Sequence, residues 1–212
     1  GEAVALGVVG GAQVADRVGG DGVAAAEMLA GRPDIDPYRI GVYGVSQGAW
    51  LAPIVAARRP ATACIVVVSG SGISPAQQMD YTAERALRDA GFGDAAVSRA
   101  LALRGRVNDY YRSRLPRTTV QDELKAARRE PWYSRAYLGD DDLVEDVTQD
   151  KWYYEMDYDP LDIWKEVTQP TLFIFPDDDR WVPVATSMAA YRSATATRVT
   201  SGAIRPSHSP RV

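Results

Sequence analysis

The chain has 212 residues, of which 46% are hydrophobic, and a formal net charge of -4 at pH 7. This length can bury a substantial core and suits one domain with an insertion. The acidic balance, with a pI of about 5.1, argues against a general binder of nucleic acids or anionic membranes, and no segment approaches the roughly 20 apolar residues of a membrane span.

The first half of the chain alternates between strand and helix patterns. The glycine-rich start lacks the spacing of a dinucleotide fingerprint and supplies at most one strand, between Val4 and Val9. A helix is predicted to end near Ala30, and a short apolar strand begins at Ile40. A second helix runs to about Arg59 and a second strand begins at Cys64. This lone cysteine lies in an apolar run, which predicts a buried thiol and excludes an internal disulfide.

The alternation is interrupted between about Ser74 and Pro160, where helical spacing predominates and Gly91 marks a helix end. It resumes with a strand at Thr171 and a helix from Val184. Alternating strands and helices predict an α/β fold with a mostly parallel sheet. The domain prediction is a core from residues 1–73 and 161–212, and a helical cap insertion from residues 74–160.

The segment Gly44-Val45-Ser46-Gln47-Gly48 lies between the predicted strand and helix. This is the Gly-x-Ser-x-Gly pattern of a nucleophile elbow, a sharp turn that exposes the serine hydroxyl. The two glycines allow the strand and the helix to approach closely. An ordinary turn with a capping serine is the alternative, so the next question is whether acid and base partners exist.

Candidates for both partners lie downstream. Asp177, Asp178 and Asp179 follow the predicted strand at Thr171, so they lie at the edge where ligands bind in open α/β sheets. An acidic surface loop without function is the alternative. His208 is the one histidine, and it gives the chain order Ser, Asp, His of an α/β-hydrolase triad.

Residues 24 to 192 resemble bacterial α/β-hydrolases of the prolyl-oligopeptidase and dienelactone-hydrolase-like group. The matching motifs are the Asp36-Pro37-Tyr38-Arg39-Ile40-Gly41 run, the elbow, the Ser69–Gln77 segment and Asp179-Arg180-Trp181-Val182-Pro183. The resemblance implies Ser46 as nucleophile, Asp179 as acid and the amide of Gln47 as an oxyanion donor. The segment before His208 matches only loosely. Only 45 residues precede Ser46, so we expect an α/β-hydrolase-type sheet that is N-terminally truncated.

The predicted cap is rich in large aromatic residues, which form rigid walls in substrate pockets. Four of them are predicted to bind substrate: Trp132, Tyr133, Trp152 and Tyr153. Packing of the cap against the sheet is the alternative for each. The acidic stretch 140–146 lacks the spacing of a calcium loop and no Cys and His cluster supports zinc, so we expect no metal and no cofactor.

These features predict a serine hydrolase that cleaves carboxylic esters of small-molecule substrates through an acyl-enzyme on Ser46. A serine peptidase of the prolyl-oligopeptidase type and acyl transfer to an amine are alternatives within enzymes. A truncated, non-catalytic protein of the same fold is the alternative from another class. A cytoplasmic location is expected, since no signal peptide is visible, although a trimmed N-terminus would hide one. The oligomeric state stays open.

Overall fold

A computed structural model describes residues 4–7, 12–139 and 142–195, and most of these residues are helical. In this part of the chain, the strands form one parallel sheet in the order β1-β2-β3-β4. The bounds are β1 (Val4–Gly7), β2 (Ile40–Val45), β3 (Ile65–Val68) and β4 (Thr171–Ile174). The α/β class is therefore confirmed. The predicted N-terminal strand pairs with β2, so β2 is second from the edge of the sheet.

Helices connect consecutive strands, and the long connection between β3 and β4 contains most of them. Their bounds are α1 (Ala12–Ala30), α2 (Gly48–Arg58), α3 (Pro75–Asp89), α4 (Asp94–Tyr111), α5 (Arg117–Ala127), α6 (Lys151–Glu155), α7 (Leu161–Trp164) and α8 (Val184–Thr195). Helix α3 begins with a capping box, in which the Ser74 side chain accepts from Gln77 N and the Gln77 side chain accepts from Ser74 N. Gly91, with φ of 84°, follows its end as predicted.

The described residues contain two separate hydrophobic clusters. One lies between the sheet and its helices and includes Val42, Val67 and Trp164. The other is formed within the long connection and includes Leu103 and Leu124, from α4 and α5. The connection therefore packs around a core of its own.

Among the described residues, one face of the sheet is covered and the other is left open. Ile40 and Val42 are buried, whereas Tyr43, Val45, Leu172 and Ile174 are exposed. Parallel sheets are usually covered on both faces, so this apolar surface is unusual.

The open face corrects the prediction for Cys64, which is exposed. Its Sγ lies 2.9 Å from where a Cβ on Gly41 would stand. Gly41 alternates along β2 with the buried Ile40 and Val42, which puts this thiol beside the open face. The apolar run correctly predicted a strand, β3, but Cys64 lies just before this strand and is not buried.

Candidate active site

The turn between β2 and α2 presents Ser46 at the carboxyl end of the sheet. Ser46 directly follows β2, is exposed, and has φ of 52°. This left-handed conformation is uncommon for a residue with a side chain and stores strain. The Ser46 amide donates to Val68 O at 2.9 Å, which fixes the turn against β3. These are the features of a nucleophile elbow.

Gly44 explains how the strand and the helix come so close together. A Cβ built on Gly44 would lie 2.3 Å from the carbonyl oxygen of Gly48 and 2.6 Å from its carbonyl carbon. Both atoms belong to the backbone of the turn, so they cannot rotate away as a side chain would. The first glycine of the motif is therefore required by the turn itself.

We expect Gly44→Ala to lower the free energy of unfolding by about 3 kcal/mol, because the added methyl overlaps backbone atoms. Gly105→Ala is the matched control, since a Cβ there meets nothing within 4 Å in the middle of α4. It should raise the free energy of unfolding by roughly 0.5–1 kcal/mol through helix propensity. Urea denaturation measures both. Equal effects of the two substitutions would contradict this account of the turn.

Helix α2 begins directly after the elbow, with Gln47 at its N-cap. The first amides of a helix lack partners within the helix, and the helix dipole makes this end positive. An oxyanion that forms at Ser46 would therefore meet backbone N–H groups and a favourable field. The side chain of Gln47 points to the long connection, where its Nε2 donates to Glu155 Oε2 at 3.2 Å.

Glu155 is a feature of the site that sequence reasoning missed. It is the last residue of α6 and is buried, and 108 positions separate it from Gln47. Burial raises the pKa of the Glu155 carboxyl, and Lys151, 3.5 Å away, opposes this shift. Nothing in the local sequence marks this glutamate as different from nearby acidic residues such as the exposed Asp157.

Asp179 is the buried member of its three-aspartate loop. Its Oδ1 accepts from the amides of Trp181 at 2.8 Å and Val182 at 3.0 Å. Its Oδ2 is also buried and has no hydrogen-bond partner among the described residues. Asp177 is exposed, and Asp178 is an exposed partner of an arginine. The geometry therefore leaves Asp179 with one fixed oxygen and one oxygen free to accept a further donor.

Helix α3 fastens this loop. The Tyr81 hydroxyl donates to Asp179 O at 3.0 Å. The Thr82 hydroxyl shares its proton between Gln78 O at 2.9 Å and Trp181 O at 3.2 Å. One turn later, Arg85 Nη2 donates to both oxygens of Asp178 at 2.7 and 2.8 Å. The acid loop is thus held by the long connection as well as by β4.

The fold brings Ser46 and the Asp179 loop to the same end of the sheet, where the carboxyl ends of the parallel strands lie. Ser46 follows β2, the acid loop follows β4, and β3 lies between them. Two strand spacings amount to about 10 Å, a gap that an imidazole and its hydrogen bonds can bridge. His208 lies outside the described residues, so its role as the base stays a prediction.

The predicted substrate-binding aromatics lie in several environments. Trp132 is buried inside the cluster of the long connection and Tyr133 packs against that cluster. Trp152 donates to Asn108 Oδ1 at 3.0 Å and lines a cavity of about 310 Å³ within the connection. Tyr153 is partly exposed. Packing accounts for Trp132, and substrate contact by any of the four stays a prediction.

Two general features of the described residues bear on the kind of site. No group of three or more His, Cys, Asp and Glu side chains within them is placed to hold a metal ion. In the same part of the chain, no helix has both the length and the apolarity to cross a bilayer.

Comparison with known proteins gives one family. The family model described as BAAT / Acyl-CoA thioester hydrolase C terminal matches residues 23–148, which is more than half of the chain. The match includes the elbow and ends before Asp179. No curated protein matches the chain.

Proposed function

Since the chain belongs to the BAAT / acyl-CoA thioester hydrolase C-terminal family, a family of hydrolase fold, we propose that it is a serine hydrolase acting on carboxylic esters and thioesters. The observation that carries the serine mechanism is Ser46, exposed with φ of 52° between strand and helix. The family supports hydrolysis of an acyl bond, and the elbow supports a serine as the attacking group.

In the proposed reaction, His208 takes the proton from Ser46 Oγ as this oxygen bonds to the carbonyl carbon. The developing oxyanion is stabilised by the backbone N–H of Gln47 at the start of α2. The free Oδ2 of Asp179 accepts from the imidazole and stabilises its charged form. His208 then gives the proton to the leaving alcohol or thiol, and water releases the acid from the acyl-enzyme by the same steps.

We propose further that residues 74–160 form a cap over this site. Their separate hydrophobic cluster supports an independent packing unit. Tyr81 contacts the acid loop and Glu155 contacts Gln47, so the unit touches both sides of the proposed catalytic edge. A cap in this position would exclude water and restrict the acyl groups that enter.

The cavity within this cap is our proposed place for the acyl group. Trp152 lines it and lies one helical turn before Glu155 on α6. Its apolar walls include Val107, Leu138 and Val144, which suit an uncharged acyl chain. Its lining also contains three charged residues: Arg104, Asp142 and Asp150. This placement favours esters and thioesters of uncharged acids over peptides.

A substrate panel tests the proposal. We expect hydrolysis of p-nitrophenyl butyrate and of a butyryl thioester, measured by nitrophenol and thiol release, and no cleavage of an aminoacyl-prolyl anilide. Cleavage of the anilide alone would indicate a peptidase, and amide formation with an added amine would indicate acyl transfer. Inert, folded protein would indicate a non-catalytic member of the fold.

A further inference from the structure

Glu155 is a buried carboxylate that the proposed mechanism does not use. Its side chain is 6% exposed, and its Oε2 accepts from Gln47 Nε2 at 3.2 Å. The other oxygen, Oε1, is buried without a hydrogen-bond partner among the described residues. Burial of a carboxylate that is only half satisfied lowers fold stability. Stability therefore does not explain why a carboxylate occupies this position.

The neighbours of Glu155 hold its segment in place without its help. The Ala76 amide donates to Met156 O at 2.9 Å. The Tyr158 ring packs edge-on against Trp50 of α2, with centroids 6.3 Å apart. Because these contacts seat the segment on the start of α2 and on α3, loss of the Glu155 carboxylate would leave its backbone in position.

We infer that Glu155 is a positioning residue, which holds the Gln47 side chain and thereby orients the peptide group between Ser46 and Gln47. This inference rests on the proposed function, in which the N–H of that peptide group stabilises the oxyanion. The hydrogen bond from Gln47 Nε2 to Glu155 Oε2 restrains the Gln47 side chain between the elbow and the cap. An oxyanion donor acts in the transition state, so its misalignment lowers kcat more than it changes KM.

The charge state of Glu155 gives this role a pH signature. In the described residues, the charged groups acting on it are Lys151 and Asp150 around α6, and the elbow faces it with the neutral Gln47. Burial raises the pKa of the Glu155 carboxyl, so protonation weakens the acceptor as pH falls through that raised pKa. Fold stability changes with pH in the opposite direction to kcat. The raised pKa contributes stability that is full below the unfolded pKa and is lost as pH rises through the folded pKa.

The decisive variants are Glu155→Leu, which removes the acceptor, and Glu155→Gln, which keeps one. With p-nitrophenyl butyrate we expect Glu155→Leu to lower kcat roughly 10- to 100-fold with KM unchanged, a part of the loss of a whole oxyanion donor. Its Tm at pH 7 should not fall. Glu155→Gln should keep kcat within about threefold, since its amide oxygen still accepts. It should also lose the acid-side fall in kcat that protonation of Glu155 causes, a fall of about threefold at most because a protonated carboxyl likewise keeps one accepting oxygen. Asp162→Asn, an exposed ion-pair partner of Lys165 on α7, is the control and should change nothing.

Gln47→Ala completes the test as a double-mutant cycle. If Glu155 acts through Gln47, Gln47→Ala reproduces the fall in kcat, and adding Glu155→Leu to it lowers kcat no further. The cycle also decides the matter if Glu155→Leu alone does not fold, because Gln47→Ala must then show the loss. Three results would overturn the inference. The first is a double variant whose loss in kcat is the product of the two single losses, and the second is a Gln47→Ala variant with the kcat of the wild type. The third is an acid-side fall in kcat that Glu155→Gln leaves unchanged.

A fluorophosphonate probe separates the two levels of the proposal. If wild-type Ser46 is labelled and Glu155→Leu is labelled at the same rate, the inference about Glu155 fails and the proposed function stands. If folded wild-type protein is not labelled, the proposed function fails and the role of Glu155 fails with it.

Discussion

Replacement of Ser46 by Ala should abolish turnover, with a loss in kcat of about 10⁶-fold for ester substrates. The substitution removes the oxygen that would form the acyl-enzyme and leaves the glycines of the turn unchanged. Residual hydrolysis would come from the oxyanion site and binding alone. Nitrophenol release from p-nitrophenyl butyrate measures the effect, and circular dichroism establishes that the variant is folded.

Ser69 provides a matched control for this experiment. It follows β3 as Ser46 follows β2, and its φ of 48° is almost the same. It lacks the elbow glycines on both sides, and its own amide donates to Ile174 O at 2.9 Å. Ser69→Ala should therefore keep kcat within a few-fold of wild type. If Ser69→Ala were inactive and Ser46→Ala active, the nucleophile would be Ser69 after β3, and the assignment to Ser46 would be wrong.

The second large effect is expected from Asp179→Asn, which should lower kcat by about 10⁴-fold. The asparagine can keep the bonds that Oδ1 accepts from Trp181 and Val182, so the loop should hold its shape. It replaces Oδ2 by an amide that donates, and such a group cannot accept from the imidazole. The same ester assay measures the loss, with Tm as the check on folding.

The two neighbouring aspartates serve as controls within the same loop. Asp177 is exposed, and Asp178 is an exposed ion-pair partner of Arg85. Surface pairs of this kind contribute about 0–1 kcal/mol to stability. Asp177→Asn and Asp178→Asn should therefore change kcat only slightly. A large loss from Asp177→Asn would mean that the acid has been assigned to the wrong residue.

The elbow could be predicted because all its determinants are local. A strand, two glycines four residues apart and a helix that begins at once are visible in the residues from Ile40 to Arg58. The structure adds the reason for Gly44, since a Cβ there would overlap the backbone of Gly48. Short-range sterics of this kind are readable from sequence.

Other features depend on contacts between distant parts of the chain. Glu155 was missed because its hydrogen-bond partner, Gln47, lies 108 positions away in the sequence. The apolar run predicted a buried Cys64, and this was wrong because such a run does not reveal that one face of the sheet is open. Trp132 shows a similar limit, since aromatic content alone does not distinguish a cap core from a pocket wall. The acid loop was found from its place after β4, whereas the free Oδ2 of Asp179 required the structure.

The most direct test of the central claim is covalent labelling of the folded protein with a fluorophosphonate, followed by peptide mass mapping. The account predicts one adduct, on Ser46, with labelling slowed in Asp179→Asn and lost in Ser46→Ala. A folded protein that forms no adduct, or an adduct on another serine such as Ser69 while Ser46 stays unmodified, would contradict it.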